Sequence, residues 1–306
     1  MVAGTTPTSI GVGEVVVTAL NDGTVHLPPT YYPGVDWEAH ADLIDPDGTY
    51  HIPAGCFLIE GEGFTILVDA GIGPNAIPFP PEIAAAADLA EPPRWIARGG
   101  DLPAQLAAVG VAAEDVTTVF LTHLDADHVG WVARDGELCF PCAQVVCSAI
   151  ELAREPGPAP GEAEGRAGLA IAEEAGLLRQ ITGPEVELAP GVTALFAPGH
   201  TPGHYVVRVV SCGHEAQLLA DAVHHPLQLN DPGISFLLET TPEASLATRE
   251  RLLSQLEGRD VLVNMVHFPG LGFHRVVVED GRRRWESASG ADTIDRATRA
   301  NGEAPS

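Results

Sequence analysis

The chain contains no lysine; all 16 of its basic residues are arginine. That absence excludes Schiff-base chemistry and the phosphate-gripping lysine of a Walker-type loop. Positive charge of any kind is scarce, 16 basic against 42 acidic residues, for a formal net charge of −26. A chain this acidic repels phosphate backbones and anionic lipid, so neither nucleic acid nor a membrane is an expected partner. No apolar stretch reaches the roughly 18 residues that a membrane-spanning helix needs. Met1 to Gly13 has neither a basic nor an apolar segment, so no secretory signal is expected. Cysteine is sparse and odd in number: Cys56, Cys139, Cys142, Cys147 and Cys212. With no framework spacing, these are expected to be reduced thiols of a cytoplasmic protein. Cys139-Phe-Pro-Cys142 lacks a second pair and a helix-opening context, which argues against redox chemistry or a structural zinc there.

Apolar residues are not scarce. At 45% of 306 residues they suffice for a sizeable core. Runs rich in Val, Ile and Phe predict strands at Glu14–Leu20, Cys56–Glu60, Phe64–Asp69, Val116–Leu121, Glu137–Ala149, Val186–Ala197, Tyr205–Val210, Glu215–Ala220, Val261–Val266 and Arg275–Val278. Asn21-Asp22-Gly23 reads as a tight turn, and Gly61-Glu62-Gly63 as the turn of a hairpin. Helical spacing of Leu102, Leu106 and Val109, closed by Gly110, predicts a helix over 101–110. Further helices are expected at 150–154, 169–178 and 241–256, the last opened by Thr241-Pro242-Glu243. The Pro- and Tyr-rich stretch 26–53 is long for a plain connection and reads either as a flap or subunit contact or as an irregular surface loop. Pro74 to Pro93 reads as loop, and 155–165 as an acidic low-complexity loop.

The polar residues that interrupt this pattern carry the chemistry. The run Leu121-Thr-His123-Leu-Asp125-Ala-Asp127-His128-Val-Gly130 places two imidazoles and two carboxylates directly after an apolar strand. Side chains of this kind are costly to bury without a partner, and a metal ion is the natural one. His200, Asp221 and His267 each follow another expected strand. Strands of one sandwich, ending at one edge, would bring all seven together. Neutral imidazoles and carboxylates suit two divalent ions, zinc first and iron or manganese next, with a shared carboxylate such as Asp221 between them. Such a pair makes a nucleophile of water near neutral pH and polarises the carbonyl under attack.

These segments, with Leu67-Val-Asp-Ala-Gly-Ile-Gly, Ala197-Pro-Gly-His-Thr-Pro-Gly-His, Leu219-Ala-Asp-Ala and Val266-His-Phe-Pro-Gly, resemble the metallo-β-lactamase superfamily, and within it the N-acyl-homoserine lactonase-like branch. The resemblance implies an α/β fold, an αββα sandwich with the metal site at the sheet edge. The chain reads as a single domain over 1–286, with an excursion near 150–180 that is either a lid or a plain surface excursion, and a polar tail over 287–306. By matched position the resemblance implies one ion on His123, residue 125 and His200, a second on Asp127, His128 and His267, and Asp221 between them. Asp127 would also orient the nucleophile and pass a proton to the leaving group, and Asp69 would support the site from behind. The chain departs from the family pattern twice. The usual run is HxHxDH, and Asp125 stands at its second histidine. Where the homoserine lactonases place a tyrosine that contacts the substrate carbonyl, this chain has Val223-His224-His225, so His224 or His225 is the candidate donor.

The activity implied is hydrolysis of an ester, lactone, thioester or related acyl bond in a small molecule. A carboxylate at 125 also suits a di-iron oxidoreductase, and a non-catalytic binding protein is the third class. A homodimer is compatible with all three.

Overall fold

A computed structural model describes residues 6–156, 162–290 and 292–294. The β-branched runs of the first half assemble into one mixed sheet. Its longest strand, Val15–Leu27, pairs antiparallel with Tyr50–Gly61, which pairs antiparallel with Phe64–Val68. Phe64–Val68 then runs parallel to Thr118–Phe120, and that strand parallel to Gln144–Ser148. The second sheet runs from Glu185–Ala189 through Val192–Phe196, Tyr205–Ser211, His214–Leu218, Leu262–Asn264 and His274–Glu279 to Arg282–Ser287.

The inner faces of the two sheets meet in one core, with Val17, Phe57 and Ile66 against Val207, Leu218 and Val266. On the outer face of the first sheet lie Leu102 and Leu106 of helix Leu102–Ala108, with Leu169 and Ala172 of helix Glu162–Glu174. The second sheet is covered by Leu252, Leu253 and Leu256 of helix Pro242–Leu256. Each sheet buries both faces, which yields four layers in the order αββα.

Parallel pairing sets where strands end. Leu67 lies opposite Val119, so the residues after both strands, Asp69 and the His123–His128 run, emerge at one edge. In the second sheet Leu218 lies opposite Asn264, again in parallel, which sends Asp221 and His267 out at a common edge.

Several expectations are corrected. Asn21-Asp22-Gly23 is not a turn: the strand continues through it, with a register shift between Asn21 and Gly23. The irregularity turns Asp22 inward, fully buried, where its Oδ1 accepts from the backbone N–H groups of Gly100 and Leu102 at 3.2 and 2.9 Å and from Trp131 Nε1 at 2.8 Å. Oδ2 accepts from Gly73 N at 2.9 Å. Asp22 therefore ties together three loops beneath the metal edge. Asp22→Asn keeps Oδ1 and its three donors but turns an amine on Gly73 N–H. The expected cost is about 2 kcal/mol of unfolding free energy, read by urea denaturation, and an unchanged midpoint would show that the carboxylate is dispensable.

Pro74 to Pro93 holds the short strand Ala76–Pro78 and the helical turn Pro81–Ala86 rather than loop alone. The strand expected over 186–197 is a hairpin, broken at Gly191, whose φ of 76° only glycine adopts readily. The helix expected from Leu169 begins at Glu162, and 157–161 of the low-complexity stretch lie outside the described residues. Part of the polar tail is structured. Asp292 accepts two bonds from Arg275 at 2.9 and 2.8 Å, and Ile294 N–H donates to Ser9 O at 2.9 Å, while 295–306 lie outside the described residues. All five cysteines are free. No helix among the described residues is long and apolar enough to cross a membrane.

Candidate metal centre

The strand-end residues converge. His123, His128, His200, Asp221 and His267 are each no more than 3% exposed, so none is held out in solvent. Around a first position, Asp125 Oδ2 lies 3.6 Å from His123 Nε2 and 3.2 Å from His200 Nε2. Around a second, Asp127 lies 3.7 Å from His128 Nε2 through Oδ1 and 3.4 Å from His267 Nε2 through Oδ2. Asp221 faces both positions. Its Oδ1 is 3.5 Å from His128 Nε2, and its Oδ2 is 3.3 Å from both His200 and His267 Nε2 and 3.8 Å from His123 Nε2.

These separations test whether metal ions fit. Charge-assisted hydrogen bonds are shorter, about 2.7–2.9 Å. Two ligand atoms each about 2.1 Å from one tetrahedral ion sit roughly 3.4 Å apart. The observed spacings cluster around the second value. His123 Nε2, His128 Nε2 and Asp221 Oδ1 are also buried without a hydrogen-bond partner. Buried polar atoms in that state are expensive unless something binds them. Nitrogen and carboxylate oxygen donors, in two sets joined by one carboxylate, fit a dinuclear metal site.

The outward-facing ring nitrogens of His123, His128 and His267 each have a polar neighbour behind them. Asp69 accepts from Thr122 N at 2.8 Å and from Thr122 Oγ1 at 2.9 and 3.0 Å, and stands 3.0 Å from His128 Nδ1. Thr122 Oγ1 also lies 3.0 Å from His123 Nδ1. His267 Nδ1 donates to Pro53 O at 2.8 Å, which leaves its Nε2 lone pair aimed into the site. The backbone is strained at two of these positions, with φ of 60° at Asp69 and 43° at Ala220, beside Asp221. Gly130 closes the run because its backbone lies against Ile72, where a Cβ would stand 2.0 Å from the carbonyl carbon.

The electrostatics follow from burial and crowding. Burial alone would raise the Asp221 pKa, but the imidazoles of His267, His128, His200 and His123 outweigh it and hold Asp221 well below the usual carboxylate range. Burial and the adjacent His128 keep His123 neutral, its pKa well below the ordinary imidazole value. For His128 burial is overcome by Asp127, Asp69 and Asp221, so its pKa is held well up.

His224 and His225 go separate ways. His225 has extended φ and ψ of −137° and 142°, so consecutive side chains face opposite sides. His224 enters the site, its Nε2 3.6 Å from Asp221 Oδ2 and its ring stacked on Phe236 with centroids 4.0 Å apart. His225 turns away. Its Nδ1 accepts from Leu227 N at 3.1 Å, and its ring packs against Tyr50 and Tyr32. Burial and His40 push its pKa down to about 4. Of the two, His224 lines the pocket, while the His225 ring caps a turn outside it.

Three residues matter here that the sequence did not single out. Tyr32, from the 26–53 stretch, bonds His224 Nδ1 through its hydroxyl at 2.7 Å. His204 accepts the Asp221 backbone N–H at Nε2, 3.3 Å away, and so fixes the turn that carries Asp221. Arg154 donates to Asp125 Oδ1 at 2.7 Å. The His204 signal lay in the Pro198-to-His204 segment, whereas Tyr32 and Arg154 sit in irregular stretches with no motif around them. Above the metal positions opens a cavity of about 470 Å3, walled by Val25, Leu27, Ile52, Ile72 and Phe236 and floored by Asp125, Asp127, His200, Asp221 and His267.

An αββα sandwich with seven His and Asp side chains brought together at one sheet edge, in groups that could hold two metal ions, defines the class. The chain belongs to the metallo-beta-lactamase superfamily, whose family model matches residues 52–263. It is 26% identical over 243 residues to the metallo-hydrolase mfmC of Annulohypoxylon moriforme, covering 72% of this chain and 60% of that relative's length. Among solved structures it is similar to AidC, a dizinc quorum-quenching lactonase, with a TM-score of 0.76, 22% identity and coverage of 94% of this chain and 99% of the other. It is likewise similar to the hydrolase AbOPH, with a TM-score of 0.74, 22% identity and coverage of 94% and 99%. At those identities the two structures establish the shared fold.

Proposed function

We propose that the chain is a metal-dependent hydrolase that cleaves an ester, lactone, thioester or related acyl bond of a small molecule. One observation carries this reading: the donor atoms are spaced as ligands of two ions at the floor of an apolar-walled cavity. Dizinc and lactonase chemistry in a similar structure supports zinc as the ion and an acyl bond as the target. Two divalent ions bound there would supply Lewis acidity and lower the pKa of water.

The chain's own residues do the rest. Val25, Leu27 and Ile52 exclude water and take up an apolar substituent of the substrate. Asp127 is the least buried of the site carboxylates, with a side chain 25% exposed, and is placed to carry a proton to the leaving group. His224 faces the same space as a donor. Burial holds Tyr32 in its protonated form, with a pKa well above the ordinary value, and its hydroxyl bonds His224 Nδ1. With Tyr32 as the donor to Nδ1, the His224 proton would sit on Nε2, the nitrogen that faces Asp221. The excursion near 150–180 is read as a lid, since Arg154 at its start lines the cavity.

His224→Gln is expected to lower kcat by about a hundredfold while two ions remain bound. Loss of one ion in that variant would show His224 to be a ligand instead. The functional reading is tested by metal analysis together with turnover of lactone, aryl ester and thioester probes before and after chelation. Two zinc ions and chelator-sensitive hydrolysis are expected. Two irons with oxygen-dependent turnover would establish the oxidoreductase reading, and full metal occupancy with no turnover the binding-protein one.

A further inference from the structure

Asp125 is the one carboxylate in the first donor set where the family pattern has an imidazole, and it does not stand alone. Its Oδ1 accepts from Arg154 NH2 at 2.7 Å, while its Oδ2 faces His200 and His123 Nε2 at 3.2 and 3.6 Å. The two oxygens are thus divided between a guanidinium and the metal position. Arg154 is itself fixed. Its Nε lies 3.3 Å from Glu151 Oε2 and its NH2 3.2 Å from Glu162 Oε1, and Arg166 NH2 bonds Glu151 O at 2.6 Å. Glu151 Oε1 accepts Gly203 N–H at 2.7 Å, in the loop that carries His200. One buried network therefore reaches both Asp125 and the His200 loop.

We propose that Arg154 is a positioning residue of the first metal site, and that the Asp125–Arg154 pair stands in for the neutral imidazole of the usual donor set. The inference rests on the dinuclear reading above. A free carboxylate rotates, chelates through both oxygens and adds a negative charge. A guanidinium on Oδ1 stops the rotation, leaves one oxygen for the ion and cancels the charge. Partners of this kind, behind a ligand, are worth about 10–100-fold in metal affinity.

The test is Zn2+ titration of the chelator-stripped full chain against a competing chromophoric chelator. Wild type is expected to bind two ions; fewer would overturn the dinuclear reading itself. Arg154→Met is expected to weaken one ion about 10–100-fold and leave the other within twofold. Two ions of unchanged affinity in Arg154→Met would overturn only the present proposal. Glu162→Gln, which touches the network without touching Asp125, separates positioning from general loosening. It is expected to leave both affinities within twofold, and a loss equal to that of Arg154→Met would overturn the proposal. Asp125→His leaves Arg154 facing an imidazole. In that background Arg154→Met is expected to strengthen first-site binding, and a further weakening there would count against the pairing.

Discussion

Asp221→Asn is expected to abolish metal-dependent turnover and to weaken both ions together, each by more than the roughly 10–100-fold that loss of a supporting residue costs. The reason is geometric. Among the described residues, Asp221 is the one carboxylate with an oxygen within 3.8 Å of imidazole nitrogens in both donor sets. An amide of the same shape keeps the backbone turn and its N–H bond to His204. It removes the negative charge between two dications, and it puts an amine where one of them sits. The sandwich core lies between the sheets and not at this edge, so far-ultraviolet circular dichroism should be unchanged. Two bound ions in Asp221→Asn, measured by elemental analysis after gel filtration, would remove Asp221 from the bridging position. His128→Ala should differ in kind by weakening one ion strongly, because the carboxylates that His128 Nε2 approaches are Asp127 and Asp221, not Asp125 of the first donor set.

Arg249→Met is expected to cause the largest loss of stability, about 3–5 kcal/mol, as befits a buried ion pair broken from one side. Arg249 is 1% exposed on helix Pro242–Leu256 and bonds Glu239, Ser245 Oγ and the carbonyls of Ala222, Pro232 and Ile234. It gathers the segment that follows Asp221 and carries His224 and Phe236. Methionine fills similar volume but leaves the Glu239 charge without its guanidinium and the carbonyls of Ala222 and Pro232 without this donor, while Ile234 O keeps Gln228 Nε2. Guanidinium denaturation measures the loss. Adding Glu239→Gln to Arg249→Met should recover part of it, since the stranded charge is then gone. A double variant no more stable than Arg249→Met would place the cost in the carbonyls alone. The same substitution should also lower turnover, because Phe236 backs His224 at 4.0 Å between ring centroids.

The candidate site residues were legible because their signal is local. An apolar strand followed at once by His123, Asp125, Asp127 and His128 shows up within ten residues, and His200, Asp221 and His267 repeat the arrangement. The same locality misled at Asn21-Asp22-Gly23. Its composition is that of a turn, yet buried donors from Gly73, Gly100, Leu102 and Trp131 hold it inside a strand. His224 and His225 were equivalent as letters. The extended backbone between them decided which one faces Asp221 and which one caps a turn.

By itself the sequence determined most of the strands and marked seven His and Asp residues as candidate donors, because hydrophobic periodicity and strand-end placement are properties of neighbours along the chain; the layered fold was legible through the family resemblance those segments carry. Only the tertiary structure decided that Asp125 comes with Arg154, that the Tyr32 hydroxyl meets His224 Nδ1 and that Arg249 anchors the segment after Asp221. Those partners lie 29, 192 and 10 or more residues apart in the chain. Nothing local encodes such pairs, and they form because buried charges and hydroxyls must find partners once the sheets have closed.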